Sequence, residues 1–441
     1  MVQQALAAIS FFFRAALGRA GYRQPMPRQF LRNFPIPRRG RRIVLTLPWI
    51  SASLLAAAQP EQLLVYSAGP LRLRPQLANA ISFDDNVLYR PSTQAKSDFI
   101  HTISPGLEIE LGTPETRYQA LFDYDFLNYT YTSLSALNHQ DHSLSLKASL
   151  QGDRIAASLV SAASRYTGIL GGGSILNEVG SFSNLGANVN RWVFRDELRL
   201  GYVVTEKLQT HALGHFDSID YAENLPLYDQ NTLRGSLGAS YQAFSKVSLF
   251  SEAYYGQVSS TPNFETAKPP HLKQGGAFLG AKGEFTPRIQ GSVQMGYEIR
   301  EFGDGTDVPG VPVVLASLSY QMTEKRTASL SYTRSTGVSV ENANTSFASD
   351  TILFDLSQKL GVREKWTGNL TAQYRMDNRE NRAGSADGED SYYSIGFRLS
   401  YQIQLWLSTA LAYVHESYSS SVQGTVDYQV NRVTLSVSVG Y

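Results

Sequence analysis

Cysteine is absent from this chain of 441 residues. Its absence excludes disulfides, thiolate metal sites and lipid attachment to a cysteine. Long apolar runs are also missing: beyond residue 58, no stretch reaches the roughly 18 consecutive apolar residues of a membrane-spanning helix. The formal net charge is only +1, which argues against a nucleic-acid partner. With 17% charged and 42% hydrophobic residues, the chain is neither disordered nor built from membrane helices.

Motifs of common enzymes are missing as well. The chain contains no Gly-x-Ser-x-Gly elbow, no P-loop and no paired-glycine dinucleotide fingerprint. His139 and His142 lie in a predicted loop without a third ligand at a useful spacing. His211 and His215 share one face of a predicted strand, about 13 Å apart, which is too far to chelate one ion together. We therefore expect no metal, no cofactor and no catalytic residue.

Aromatic residues, in contrast, are abundant, with 25 Tyr and 21 Phe. Many fall in segments where apolar and polar residues alternate, as in a strand with one face in lipid and the other in water. Residues 433–441 alternate in this way and end on Tyr441. A soluble protein rarely leaves such a strand at its edge, because it would template aggregation, whereas a closed barrel has no edge. The mean hydropathy of −0.22 also fits a barrel, since only alternate residues of its strands touch lipid.

Alternating segments recur along the chain, and their connections alternate in length. We count about eighteen segments of about 10 to 14 residues, from 71–84 to 426–441. Short turns separate them on one side and long polar loops on the other, with examples of long loops at 86–96, 167–188, 259–271, 341–349 and 378–390. This pattern predicts an all-β, antiparallel transmembrane barrel of the bacterial outer membrane, with short periplasmic turns and long extracellular loops.

Two alternatives remain open for this fold. Merging the weakest segments, 154–166 and 272–284, would leave about sixteen strands. A β-sandwich of similar size would use the same alternation, but its buried strands rarely contain so many Tyr residues. Its tight turns would also not segregate so regularly from long loops.

The front of the chain predicts export. A basic cluster at 38–42 precedes an apolar run at 43–55 and three alanines at 56–58. Positive, apolar and small residues in this order indicate a secretory signal peptide at 26–58 that is cleaved near Ala58. Residues 1–25 are then interpreted as a gene-model extension, with a long basic leader region as the alternative. The remaining domains are a short periplasmic segment, 59–70, and the barrel, 71–441.

Charged residues in the strands share one phase, opposite to the apolar residues. Facing lipid at the bilayer midplane would cost about 2–4 kcal/mol for each Arg or Lys, so this shared phase predicts that they line the lumen. The predicted pore-lining residues are Glu108, Glu110, Arg117, Asp123, Asp125, Lys147, Arg195, Glu197, Arg199, Arg234, Glu252, Lys282, Glu298, Arg300, Arg375, Arg398 and Arg432. They either line an aqueous pore or pair across neighbouring strands, and Asp196 alone breaks the phase. The longest predicted loop, 167–188, is interpreted as a mobile surface loop, with folding into the barrel as the alternative hypothesis.

The start of the predicted barrel resembles a known family. Asp84-Asp85-Asn86, Pro91, Ser97-Asp98-Phe99 and 104–107 (Ser-Pro-Gly-Leu) are similar to the opening hairpin of the putative β-barrel porin 2 family. Tyr124-Asp125 and 138–142 (Asn-His-Gln-Asp-His) are similar to the end of its third strand and the loop beyond it. This resemblance implies a barrel in the outer membrane with a role in exopolysaccharide export or as a porin. The family has no catalytic residues to carry over.

The functional expectation is a water-filled conduit, for exopolysaccharide export or, as the alternative, for diffusion of small solutes. An outer-membrane barrel hydrolase is the least favoured alternative. The final alternation and aromatic residue resemble the signal that the barrel-assembly machinery reads, with Val437, Val439 and Tyr441 as its residues. Expected partners are therefore outer-membrane lipid and that machinery, together with a polysaccharide-export apparatus in the export reading. No nucleic acid is expected.

Overall fold

The computed structural model describes residues 64–441 apart from 114, 173–184, 223–224, 264–268, 270, 382–385, 422–426 and 441. A short strand, β1 (Tyr66–Ala68), precedes eighteen long strands in the described part of the chain. These are β2 (Leu71–Asp84), β3 (Asp98–Leu111), β4 (Tyr118–Tyr131), β5 (His139–Gln151), β6 (Ile155–Tyr166), β7 (Arg191–Val203), β8 (Leu208–Tyr221), β9 (Tyr228–Gln242), β10 (Val247–Pro262), β11 (Leu272–Thr286), β12 (Ile289–Phe302), β13 (Asp307–Thr323), β14 (Arg326–Val338), β15 (Thr345–Leu360), β16 (Trp366–Asn381), β17 (Ala386–Gln404), β18 (Leu407–Ser420) and β19 (Tyr428–Val439). A turn of 3-10 helix lies at Ser135–Leu137. Among the described residues, no helix is long and apolar enough to cross a membrane.

The eighteen long strands close into a barrel. Each pairs antiparallel with its neighbours in sequence, and β19 pairs with β2 from Arg432↔Asp84 to Val439↔Leu77. The N-terminal residues of β2, which β19 does not reach, pair with β1 instead, from Ala68↔Leu71 to Tyr66↔Leu73. Backbone groups of the wall are thus satisfied by neighbouring strands, which is the condition for strands to cross lipid. The predicted fold class is confirmed.

The strand count is eighteen rather than sixteen. The two weakest segments of the sequence form the complete strands β6 and β11. β6 pairs along its length with β5 and β7, and β11 with β10 and β12. Their alternation is weak because small residues, alanine and serine in β6 and glycine and alanine in β11, occupy many positions of both faces.

Connection lengths follow the predicted alternation, with shifted boundaries. Turns of two to six residues join the strands at one end, and connections of four to 24 residues join them at the other. The predicted loop 378–390 is wrong for most of its length, because β16 and β17 continue their ladder through Asp377↔Asp390 and Asn378↔Glu389. These strands extend beyond the belt of apolar residues, where no apolar alternation is needed, and the sequence pattern therefore missed their ends.

The family-like residues at the start of the barrel fasten its closing seam. Asp85 accepts hydrogen bonds from the backbone N–H of Asn431 and from its side-chain amide, both at 2.7 Å. Asn86 donates from Nδ2 to the carbonyl oxygen of Gln429 at 2.9 Å. Asp98 accepts from the backbone N–H groups that open the loop between β4 and β5, including that of Leu134 at 2.7 Å. The motif therefore has a structural explanation: Asp85 and Asn86 tie the end of β2 to the last strand, and Asp98 ties β3 to the loop between β4 and β5.

Several predicted segments lie outside the described residues. These are the N-terminal extension 1–25, the signal peptide 26–58, residues 59–63 and Tyr441. The described part of the predicted segment 59–70 contributes β1.

Candidate functional site

Side chains from distant strands identify the inner face of the barrel. Arg300 on β12 contacts Glu380 on β16 at 3.4 Å, and Gln230 on β9 donates to the carbonyl oxygen of Val338 on β14 at 3.2 Å. Strands this far apart in the wall can meet only across the interior. The opposite face carries large apolar side chains with high exposure, such as Leu237 at 70% and Leu279 at 68%. That face is the apolar belt expected to meet lipid.

The strand residues among the seventeen predicted charges lie on the inner face. The paired registers bring them to the side opposite the apolar belt: Glu108, Glu110, Asp123, Asp125, Lys147, Arg195, Glu197, Arg199, Arg234, Glu252, Lys282, Glu298, Arg300, Arg375, Arg398 and Arg432. Arg117 differs, because it lies in the turn before β4 rather than on a strand. It pairs there with Asp153 at 3.4 Å, and both side chains are largely exposed.

Two of the predicted carboxylates, Glu108 and Glu110, pair with arginines that the sequence analysis did not identify. Arg74 pairs with Glu108 and, at 2.8 Å, with Glu110, while Arg72 pairs with Glu110 at 3.4 Å. Both arginines share the inward phase of β2, opposite to Leu71, Leu73 and Leu77, so the alternation itself could have revealed them. Partly exposed pairs of this kind stabilise by about 0–1 kcal/mol each, and their main effect is to cancel charge on the wall.

Glycines let other polar groups pair across an intervening strand. His211 on β8 and Glu252 on β10 approach to 3.0 Å in front of Gly238 on β9, where an added Cβ would lie 2.5 Å from the imidazole. His215 has a separate carboxylate partner, Asp217, at 2.6 Å. In the part of the chain that the structure describes, no three His, Asp or Glu side chains are grouped so as to hold a metal ion.

Asp196, the residue that breaks the charge phase, faces outward. The ladders of β7 with β6 and β8 contain no bulge around it, so its direction follows from strict alternation. It is 5% exposed and accepts a hydrogen bond from Ser161 on β6 at 2.5 Å. A buried hydrogen bond to a neighbouring strand is therefore how this wall accommodates a carboxyl group on its lipid side.

Described residues of three loops lie inside the extracellular half of the lumen. Leu170, Leu227 and Val340 come from three different loops, are completely buried and belong to one apolar cluster with inward residues of β7 and β8. Both described flanks of the loop 167–190 lie in this interior: Ile169 pairs with Asn188, and Leu170 is fully buried. The central part of that loop, 173–184, lies outside the described residues.

The first loop is anchored by a buried tyrosine. Tyr89 adopts a positive φ of 51°, is 7% exposed and accepts a hydrogen bond from Arg432 at 3.2 Å. Arg432 also pairs with Asp84 at 2.7 Å. Burial raises the pKa of the Tyr89 hydroxyl above its ordinary value, and the guanidinium of Arg432 opposes this shift. The phenol is therefore neutral at physiological pH and holds the loop against the wall.

Exposure differs among the inward charges, and Arg195, near the loop end of β7, is exposed like several charges near the short turns. Lys147, Lys282 and Arg398, toward the short-turn ends of their strands, are exposed. Arg300 and Arg375, toward the loop ends, are 3% and 7% exposed. Residues of other strands contact them, such as Glu380 on Arg300 and Phe347 beneath Arg375. The lumen is therefore open and charged toward the periplasm and narrowed toward the outside.

These features define a class of protein. A closed antiparallel barrel with an apolar outer belt, a charged interior and inward-folded loops is a β-barrel porin of the bacterial outer membrane. Residues 228–441, which comprise β9 to β19, match the family model described as "Putative beta-barrel porin 2". The resemblance indicated by residues 84–142 is thereby confirmed on a different part of the barrel.

Comparisons with solved structures also return outer-membrane proteins. The outer membrane protein OpdK from Pseudomonas aeruginosa is 11% identical, with a TM-score of 0.43, over 84% of this chain and 99% of that chain. OccAB3 from Acinetobacter baumannii is 13% identical, with a TM-score of 0.44, over 85% of this chain and 100% of that chain. No curated protein matches the sequence.

Proposed function

We propose that this porin is a water-filled conduit through which small solutes diffuse, with its inward charges as the hydrated wall. The observation that supports it best is the set of inward charges that are exposed to the lumen. The periplasmic half of the lumen contains the exposed charges of Lys147, Lys282 and Arg398, and the extracellular half is narrower. Selection would act through size and through the mixed signs of the wall, without a covalent step.

The size of the remaining cavities favours small solutes. Two cavities in the upper lumen have volumes of about 390 and 460 Å³. Loop and strand residues line the first, and strand residues line the second. Sites for single small molecules have volumes of about 300–1,000 Å³. A polymer strand would have to displace the loops, so diffusion of small solutes is the better supported of the two conduit functions.

Reconstitution in planar lipid bilayers tests the proposal. The purified barrel should insert in discrete conductance steps in KCl. In a KCl gradient the reversal potential should lie near zero, because carboxylates and cations are mixed along the wall. A correctly folded barrel that inserts without conducting would contradict an open conduit and favour the hydrolase alternative.

Exopolysaccharide export is the second candidate, and it depends on the family resemblance alone. A polysaccharide-export apparatus as partner depends on the same resemblance. Deleting the gene would favour export if secreted polysaccharide disappeared while uptake of small solutes stayed intact. Recognition by the barrel-assembly machinery is also a proposal, supported by Val437 and Val439 on the outward face of the closing strand.

A further inference from the structure

We propose that the upper lumen contains a binding site for a sugar acid, a small polyhydroxylated solute with one carboxylate. The inference deepens the proposed function, on which it rests, by naming a substrate class. The site is the cavity of about 460 Å³ between two facing parts of the wall. One part is formed by β8 to β11 and the other by β14 to β16.

Arg234 supplies the positive charge of this cavity. It lies on β9, with its guanidinium over the ring of Tyr254 at 5.2 Å from the centroid. No carboxylate of the described residues lies within the 4.0 Å ion-pair distance of Arg234. The other charged groups at the site have neighbours of their own: Arg375 pairs with Asp377 at 2.7 Å, and Asp217 lies 2.6 Å from His215 and 4.0 Å from Arg195. An unmatched guanidinium in a recessed site favours a ligand with one carboxylate.

Gln274 supplies an unused amide beside it. Gln274 is 9% exposed and lines the same cavity, and its side chain makes no hydrogen bond with another described residue. It lies two strands from Arg234, opposite Gly256, which in turn lies opposite Arg234. Because Gly256 has no side chain, the space between Arg234 and Gln274 stays open. The side-chain amide of Gln274 can therefore both donate to and accept from a ligand in the cavity that has hydrogen-bonding groups.

Hydroxyl groups complete the facing part of the wall. Thr333 on β14 and Thr351 on β15 lie directly opposite each other in register, and Thr351 is in turn opposite Arg375 on β16. Gln373 adds a further amide. Amides and hydroxyls both donate and accept hydrogen bonds, as the hydroxyl groups of a sugar do. The combination of Arg234, which has no ion-pair partner among the described residues, with a ring of such groups therefore matches a hydroxylated acid better than a plain acid or a neutral sugar.

Calorimetry on the detergent-solubilised full-length barrel tests the site directly. Three probes separate its two features: glucuronate has the carboxylate and hydroxyls, glucose has hydroxyls alone, and cyclohexanecarboxylate has the carboxylate alone. Glucuronate should bind at least about tenfold more tightly than either of the others, since each lacks one set of contacts. Equal binding of glucose or of cyclohexanecarboxylate, or no binding of glucuronate, would overturn the proposal.

Variants locate the binding within the lumen. Arg234→Gln should remove the preference for glucuronate over glucose, and Gln274→Leu should reduce the preference over cyclohexanecarboxylate. Arg398→Gln is the matched control, because Arg398 is also an inward arginine but lies outside this cavity. Arg234→Lys keeps the charge and is the replacement variant if Arg234→Gln does not fold. If Arg398→Gln weakens binding as much as Arg234→Gln, the site is wrong.

Conductance separates failure of the site from failure of the conduit. Glucuronate should reduce the single-channel current of the wild-type barrel in a saturable way and leave that of Arg234→Gln unchanged. Conductance without calorimetric binding of glucuronate would refute the site and leave the conduit intact. Calorimetric binding without any conductance would refute the conduit and leave the site.

Discussion

Gly238 and Gly235 lie on the same strand but face opposite sides of the barrel wall. An added Cβ at Gly238 would lie 2.5 Å from the ring of His211 and 2.9 Å from the carbonyl oxygen of Ser251. A Cβ at Gly235 would meet nothing within 4 Å. The glycine at 238 is therefore required by the contact between His211 and Glu252, whereas the one at 235 is not.

The substitution Gly238→Ala should accordingly lower the free energy of unfolding by about 1–3 kcal/mol, the usual cost of overpacking. Gly235→Ala should change it by less than about 1 kcal/mol, and in the stabilising direction, since glycine weakens a strand interior. Urea titration in lipid vesicles, followed by tryptophan fluorescence, measures both. Equal destabilisation by the two alanines would show that the inward contact is not the cause.

The alternation of side chains along a strand decides which residues face lipid and which face the lumen. In β19, Leu435 faces outward, is 55% exposed and lies opposite outward residues of β18 and β2. Ser436, the next residue, faces the lumen. The two positions differ in environment although they are adjacent in sequence, because side chains alternate along a strand.

Arginine at these two positions should therefore behave differently. Leu435→Arg should cost about 2–4 kcal/mol if the side chain lies near the bilayer midplane, whereas Ser436→Arg should cost much less because the lumen is hydrated. Unfolding in vesicles and the heat-modifiable mobility of the folded barrel on gels report the difference. A larger cost at Ser436 would reverse the assignment of faces to this strand.

The orientation of the whole barrel follows from its two kinds of connection. Val362, in the turn between β15 and β16, is 97% exposed, and Ala95 is exposed in the loop between β2 and β3. Short turns should lie in the periplasm and long loops outside the cell. The natural chain has no cysteine, so a single introduced thiol reports without background.

In intact cells, a membrane-impermeant maleimide should label Ala95→Cys and not Val362→Cys. Permeabilising the outer membrane should make Val362→Cys reactive as well. Labelling of Val362→Cys in intact cells, with Ala95→Cys protected, would show that the barrel has the opposite orientation in the membrane.

The wall of this barrel could be predicted from the sequence alone. Its antiparallel order, the separation of short turns from longer loops and the inward phase of the charges follow from a period of two, which is local and does not depend on tertiary contacts. The choice between sixteen and eighteen strands needed the structure, because small residues weaken the alternation in β6 and β11. The same reasoning left Asp196 unexplained, because its hydrogen bond to Ser161 joins residues 35 positions apart.

Only the tertiary structure decided what fills and closes the barrel. The pairing of Glu252 with His211 past Gly238, the burial of Arg300 and Arg375, and the meeting of Arg234 and Gln274 at one cavity all depend on register between strands and on loops that fold inward. Loops have no period to reveal their course, and contacts across a lumen join residues that no local pattern relates. The location of this porin could be predicted from alternation, but its inner surface is a property of the closed barrel.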